Sequence, residues 1–172
     1  MRRVLLIAAL AAATAATPLR AQMAVTPLTL ADAQRMIAAA RQKAIDANVK
    51  IAIAVVDGRG DLIAMERMPG AYSLPVADVV LGKATVSAIF GQPSAEVAIS
   101  QFGENPGCGP IFCDPPPTIY PVFNDMMGGK FRFIRGAVPV IRGGRGVGAI
   151  ATGGAGPLDP ELAMIGLAAL TK

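Results

Sequence analysis

Histidine and tryptophan are both absent from these 172 residues. Losing histidine removes the side chain that most often serves as a general base near neutral pH and most often ligates a metal. Cysteine is scarce too: Cys108 and Cys113 are the only two, and no second ligand pair accompanies them in a zinc-site spacing. Charged residues make up 16 % of the chain and form no basic run, so there is no electrostatic footprint for nucleic acid. Beyond the N-terminal region there is no long apolar segment of membrane-spanning length, which predicts no membrane insertion of the mature protein.

What is present begins with a leader. Arg2 and Arg3 form a positive start, Val4 to Ala13 an apolar stretch too short to span a bilayer, and Ala21 a small residue just before Gln22. Residues 1–21 therefore read as a cleaved signal peptide, and the mature protein is expected in the periplasm or secreted. Ordinary secretion fits better than twin-arginine export, because only Met1 precedes the arginine pair. Of the 16 Lys and Arg, Arg2, Arg3 and Arg20 lie in the leader and no acid does, which leaves 13 against 12 and a net charge of +1. In an oxidising compartment the default for Cys108 and Cys113 is a disulfide, with free thiols or a redox role as the alternatives.

Residues 22–28 are a short tail ahead of a domain spanning 29–172. Thr29 and Asp32 resemble a capping box, and Leu30, Ala33, Ile37, Ala40 and Ala44 recur at helical spacing through Asn48. Ile51 to Val56 is a β-branched apolar run, Asp57 to Asp61 is turn chemistry, and Leu62 to Arg67 completes a hairpin. Ser73 caps a helix with Pro75 in its first turn that runs to Phe90, where Gly91 stops it; Ser94 caps a shorter one through Phe102. Residues 103–129 are rich in Pro, Gly and Cys and lack periodicity, which marks an insertion. Phe131 to Arg135, Ala137 to Arg142 and Gly146 to Thr152 read as three strands, with Pro139 requiring an edge or a bulge. Asp159-Pro160-Glu161 opens a final helix, with Asp159 as its N-cap. The fold class is α+β, an antiparallel sheet of about five strands with helices packed on it. Ala52 and Ala54 alternate with Ile51, Ile53 and Val55, so both strand faces are apolar, and a homo-oligomer is expected to cover the excess.

The motifs that bear on chemistry are few. Gly144 to Gly148 has the glycine content of a nucleotide loop, but a strand follows it, so it reads as a hairpin turn. Gly153-Gly154-Ala155-Gly156 joins a strand to the last helix; it is either a plain connection or a set of amides open to an anion. Lys83 is the only charge between Val79 and Glu96, on a helix otherwise built of apolar and small residues. Such an amine either extends its head to water or aims it at something. Arg67, at a strand end, and Tyr72, in the loop after it, would lie near. Those three at one pocket mouth suit an anionic, partly apolar ligand.

Taken in order, several stretches resemble the GlcG/HbpS-like family, the haem-degrading or haem-binding domain family. They include Val55-Val56-Asp57-Gly58 with Gly60-Asp61-Leu62, Arg67-Met68-Pro69-Gly70-Ala71, Lys83-Ala84, Phe90-Gly91-Gln92-Pro93, Val138-Pro139-Val140, Val147-Gly148-Ala149-Ile150 and Gly153-Gly154. The resemblance covers about residues 28–171. It implies a profilin-like α/β sandwich, assembly into oligomers, and binding of haem or a related tetrapyrrole. On that reading Arg67 and Lys83 would hold propionates, and Tyr72, Met65 or Met68 would approach the iron. No imidazole is available, so any haem is bound without histidine ligation.

Three functions compete at this point. The first is an exported, non-catalytic binder of a small ligand, haem foremost. The second is an enzyme acting on a small organic acid or a tetrapyrrole, for which Asp57, Asp61, Tyr72 and Lys83 are the proton movers on offer. The third is an accessory protein that docks a partner enzyme or transporter. Intact mass of the exported protein should show a chain starting near Gln22 and lighter by the two hydrogens of a Cys108–Cys113 disulfide. A species retaining Met1 to Ala21, or two titratable thiols in the unfolded protein, is the opposing result.

Overall fold

The computed structural model describes residues 25–71, 76–102, 125 and 128–171. The expected leader, Tyr72, Cys108 and Cys113 lie outside the described residues, as does most of the expected insertion. Among the described residues, four helices and four strands follow in the order α1 (Leu30–Asp46), β1 (Ala52–Asp57), β2 (Leu62–Arg67), α2 (Val76–Phe90), α3 (Ser94–Phe102), β3 (Ala137–Arg142), β4 (Arg145–Gly153) and α4 (Asp159–Ala168). A short 3-10 turn, Gly156–Leu158, leads into α4. Among the described residues no helix is long and apolar enough to cross a membrane.

The strands form one antiparallel sheet in the order β2-β1-β4-β3. Central strand β1 pairs on one side with its hairpin partner, Ala52 opposite Arg67, and on the other with β4, Ala52 opposite Gly153. The Gly143-Gly144 turn between β3 and β4 has both residues at positive φ, +55° and +76°, as a two-residue hairpin turn requires. Pro139 is tolerated because β3 is an edge strand, and the register shifts just after it, between Val140 and Ile141.

Alternation sorts the strand side chains onto two faces. Ile53, Val55, Val138, Val140 and Ile150 meet Met36, Ile37 and Ala40 of α1 and Leu162 and Ala163 of α4. Ala52, Ala54, Ala149 and Ala151 meet Val80, Ala84 and Ala88 of α2. Both faces of β1 are thus covered within one chain. The apolar faces of β1 therefore do not by themselves call for a second copy.

The expected fifth strand, Phe131 to Arg135, does not form; the sheet has four strands. The alternation in that stretch serves a different purpose. Phe131 and Phe133 turn into a separate cluster with Val86 and Val97, against which Phe90 packs, and their rings meet edge to face with centroids 5.9 Å apart. The Arg132 N–H donates to Gly82 O of helix α2 at 3.3 Å rather than to a strand. A helix, not a sheet edge, is this segment's support.

At the other end of the fold, Asp32 ties three segments together. Thr29 Oγ1 accepts from the Asp32 amide and Asp32 Oδ2 accepts from the Thr29 amide, 3.1 Å each, completing the capping box. Arg142 of β3 donates to Asp32 Oδ2 at 3.0 Å and to the Pro27 and Thr26 carbonyls at 2.9 and 3.2 Å. The Thr29 backbone amide, then Arg142, hold the Asp32 carboxyl well below its ordinary 3.8, against the opposing effect of burial. A depressed carboxylate contributes stability that is present above the ordinary value and lost as pH falls below it. Asp32→Asn should therefore cost about 1–3 kcal/mol in urea unfolding at pH 7. The gap to wild type should narrow as pH drops below about 4.

Candidate functional site

Helix α2 carries Lys83 on its sheet side, and the structure buries that side chain at 3 % exposure. Its ammonium donates to Thr152 O at 3.0 Å and to Asp159 Oδ2 at 3.2 Å. Asp159, equally buried, accepts from the Ala155 amide through Oδ1 at 3.0 Å, and its carbonyl accepts from Thr152 Oγ1 at 2.6 Å. Burial pushes the Lys83 ammonium down and the Asp159 carboxyl up from their ordinary values, and the attraction between the two opposes both shifts. Helix α2 lies on one face of the sheet and α4 on the other, so the pair joins the two layers around the end of β4. Gly136 makes the room: at φ +117°, a Cβ there would lie 2.7 Å from Thr152 O and 2.9 Å from Lys83 Nζ. Of the Gly153–Gly156 amides, the one at Ala155 donates within the chain, to the Asp159 carboxylate.

A second face of α2 opens into a cleft of about 650 Å³. Leu81, Thr85 and Ile89 line its helical floor, the β1–β2 turn from Arg59 to Leu62 forms one wall, and Gly128 to Arg132 forms the other. Both walls seat on small residues. Gly60, at φ +87°, sits so close that a Cβ would lie 2.8 Å from Thr85 Cγ2. At Gly82 a Cβ would lie 2.6 Å from Arg132 Cγ and 2.8 Å from Lys130 O. Leu62 and Ile89 leave hydrocarbon exposed, 51 % and 42 %. Arg59 is paired with Asp57 and Asp61, at 3.5 and 3.1 Å. Lys130 and Arg132 place positive charge on the opposite wall, while Asp78 of α2 and Asp61 of the turn also line the cleft.

The family model described as "Haem degrading protein HbpS-like" matches residues 28–168. The chain belongs to the HbpS-like family. Solved structures agree in fold. The Klebsiella pneumoniae protein ORFY is 25 % identical, with a TM-score of 0.69 over 90 % of this chain and 98 % of that one. A double mutant of Streptomyces reticuli HbpS is also 25 % identical, with a TM-score of 0.66 over 98 % and 99 %. A PduOC:heme complex, at 20 % identity, has a TM-score of 0.65 over 84 % and 95 %. No curated protein matches the chain by sequence.

Within this HbpS-like fold the residues singled out from sequence are divided between the two faces of the sheet. Met65 and Arg67 point to the α2 side of β2, in register with Ala54 and Ala52; Met65 is partly buried and Arg67 exposed. Met68 is buried in the opposite cluster, under α1. Lys83 is enclosed with Asp159, and Tyr72 lies outside the described residues. Asp159 is not a side-chain N-cap, since Leu158 takes the cap position and the Asp159 carboxylate reaches back to Ala155. Sequence reasoning missed the Lys83–Asp159 partnership, since a lone amine in an apolar helix can equally extend to water. It also missed Lys130, Arg132 and the Leu81–Ile89 floor, because the wall containing Arg132 read as a strand.

Removing one member of a buried pair strands the other charge. Lys83→Met should therefore cost about 3–5 kcal/mol, and Asp159→Leu added to it should recover part of that loss. Urea unfolding of both variants at pH 7 measures the difference. Equal stability of Lys83→Met and wild type would show that the pair holds nothing together.

Proposed function

We propose that this HbpS-like protein is an exported, non-catalytic binder of haem or a related tetrapyrrole, and that the ligand occupies the α2 cleft. The observation that carries this reading is the cleft itself. Its volume of about 650 Å³ falls within the roughly 300–1,000 Å³ usual for small-ligand sites. It sets exposed hydrocarbon from Leu62 and Ile89 opposite cations on the Gly128–Arg132 wall. A flat apolar macrocycle with carboxylate arms has that same division of character. The family description and the PduOC:heme neighbour support the same ligand class. The cleft residues fit the ring and its carboxylates rather than the iron, and the chain has no imidazole to offer. The spectrum of bound haem is expected to differ from that of a bis-imidazole site. The leader in residues 1–21 supports export to the periplasm or beyond.

Optical titration with haemin should saturate at one equivalent per chain. Ile89→Glu, which charges the floor of the cleft, should weaken binding at least tenfold. Arg67→Ala should leave it within twofold, because Arg67 lies about 17 Å along β2 from the Leu62 end. Reversal of those two results would move the ligand to the Arg67 end of the sheet. Unsaturable haemin uptake would end the tetrapyrrole reading.

A further inference from the structure

Of the charges around the cleft, Arg132 is held in a distinctive way. Its Nη1 donates twice to its own segment, to Gly129 O at 2.7 Å and to Phe131 O at 2.8 Å. A guanidinium has five N–H donors in a rigid plane. With Nη1 occupied, Nε–H and Nη2 remain, and no partner takes them among the described residues. Those groups form the side-on edge that binds a carboxylate through two parallel hydrogen bonds. The stem is held as well. Gly82 has no Cβ, and one built there would lie 2.6 Å from Arg132 Cγ and 3.1 Å from Arg132 Cβ, so the Arg132 chain lies directly on the helix. By contrast, Arg59 is committed to two acids and is 81 % exposed, and Lys130 is an exposed point charge.

Resting on the tetrapyrrole reading, we infer that Arg132 is the carboxylate-recognising residue of the cleft. Its Nε–Nη2 edge takes one carboxylate of the ligand in a two-point contact. The two backbone carbonyls act as positioning groups that hold this edge ready before ligand arrives. The cleft then selects for the free acid on the ligand's rim and is indifferent to the metal at its centre. Pre-fixing the guanidinium reduces the side-chain entropy lost on binding. Lysine cannot replace it, because an ammonium has no planar fork.

Metal-free protoporphyrin IX and its dimethyl ester, followed by fluorescence anisotropy, separate this from general charge attraction. Wild type should bind the free acid at least tenfold more tightly than the ester. Arg132→Lys should bring the two within about threefold by weakening the acid alone, while Lys130→Met, which removes only a point charge from the same wall, should keep a preference of at least fivefold. Thermal midpoints of both variants near that of wild type confirm intact folds; if Arg132→Lys unfolds, Arg132→Gln is read in its place. Equal binding of acid and ester by wild type overturns the inference but leaves the tetrapyrrole reading standing. So does a preference that survives Arg132→Lys and vanishes in Lys130→Met. Binding of neither compound overturns the tetrapyrrole reading and the carboxylate fork together.

Discussion

The buried contact between Lys83 and Asp159 is the constraint around which the two layers of this protein are arranged. An isolated ion in an apolar interior is costly, and a pair is tolerated only when its remaining hydrogen-bonding groups are satisfied. Here Thr152 O takes one ammonium proton and the Ala155 amide serves the second carboxylate oxygen. Those partners sit at the end of β4 and in the turn after it. Satisfying the charges therefore fixes where β4 ends, how the chain turns, and where α4 begins. Gly136 at the start of β3 has to be glycine for the same reason, since any Cβ would occupy the ammonium's space. The pair orders the junction of three elements.

The alanine face of the sheet then determines what α2 presents to solvent. Ala52, Ala54, Ala149 and Ala151 are small enough for the helix to settle close to the strands. With its sheet side committed to packing and to Lys83, and Val86 turned toward the phenylalanine cluster, the Leu81–Thr85–Ile89 side is left to line an opening. The cleft follows from how the helix is divided among its neighbours.

Much of this was legible in the sequence. The Thr29 capping box, the β1–β2 and β3–β4 hairpins and the four described helices follow from local chemistry: cap residues, glycine turns and apolar period. The failures come from information that local pattern does not hold. Phe131 and Phe133 alternate with polar residues as a strand would, yet their partners are Val86 and Val97, dozens of residues upstream. Lys83 was identified as exceptional, but its partner is 76 positions away, hidden in what read as an ordinary helix cap. Arg67 and Lys83 read as neighbours from their closeness along the chain, and Met65 and Met68 join them only through the haem reading that the family resemblance implies. The pleat of β2 sends Met68 to the other face from Met65 and Arg67, and Lys83 is enclosed with Asp159.

The pairing of β1 with β4 brings together Asp57 and Gly148, residues far apart in the chain. The entropic cost of closing so large a loop grows only with the logarithm of its length. Deleting residues 103–124 from that loop would lower the closure cost by only about 0.2 kcal/mol. The connection between α3 and β3 is therefore a place where this architecture accepts large changes in length almost for free. Insertions there can vary from one chain to another while the sheet, the buried pair and the cleft floor stay the same.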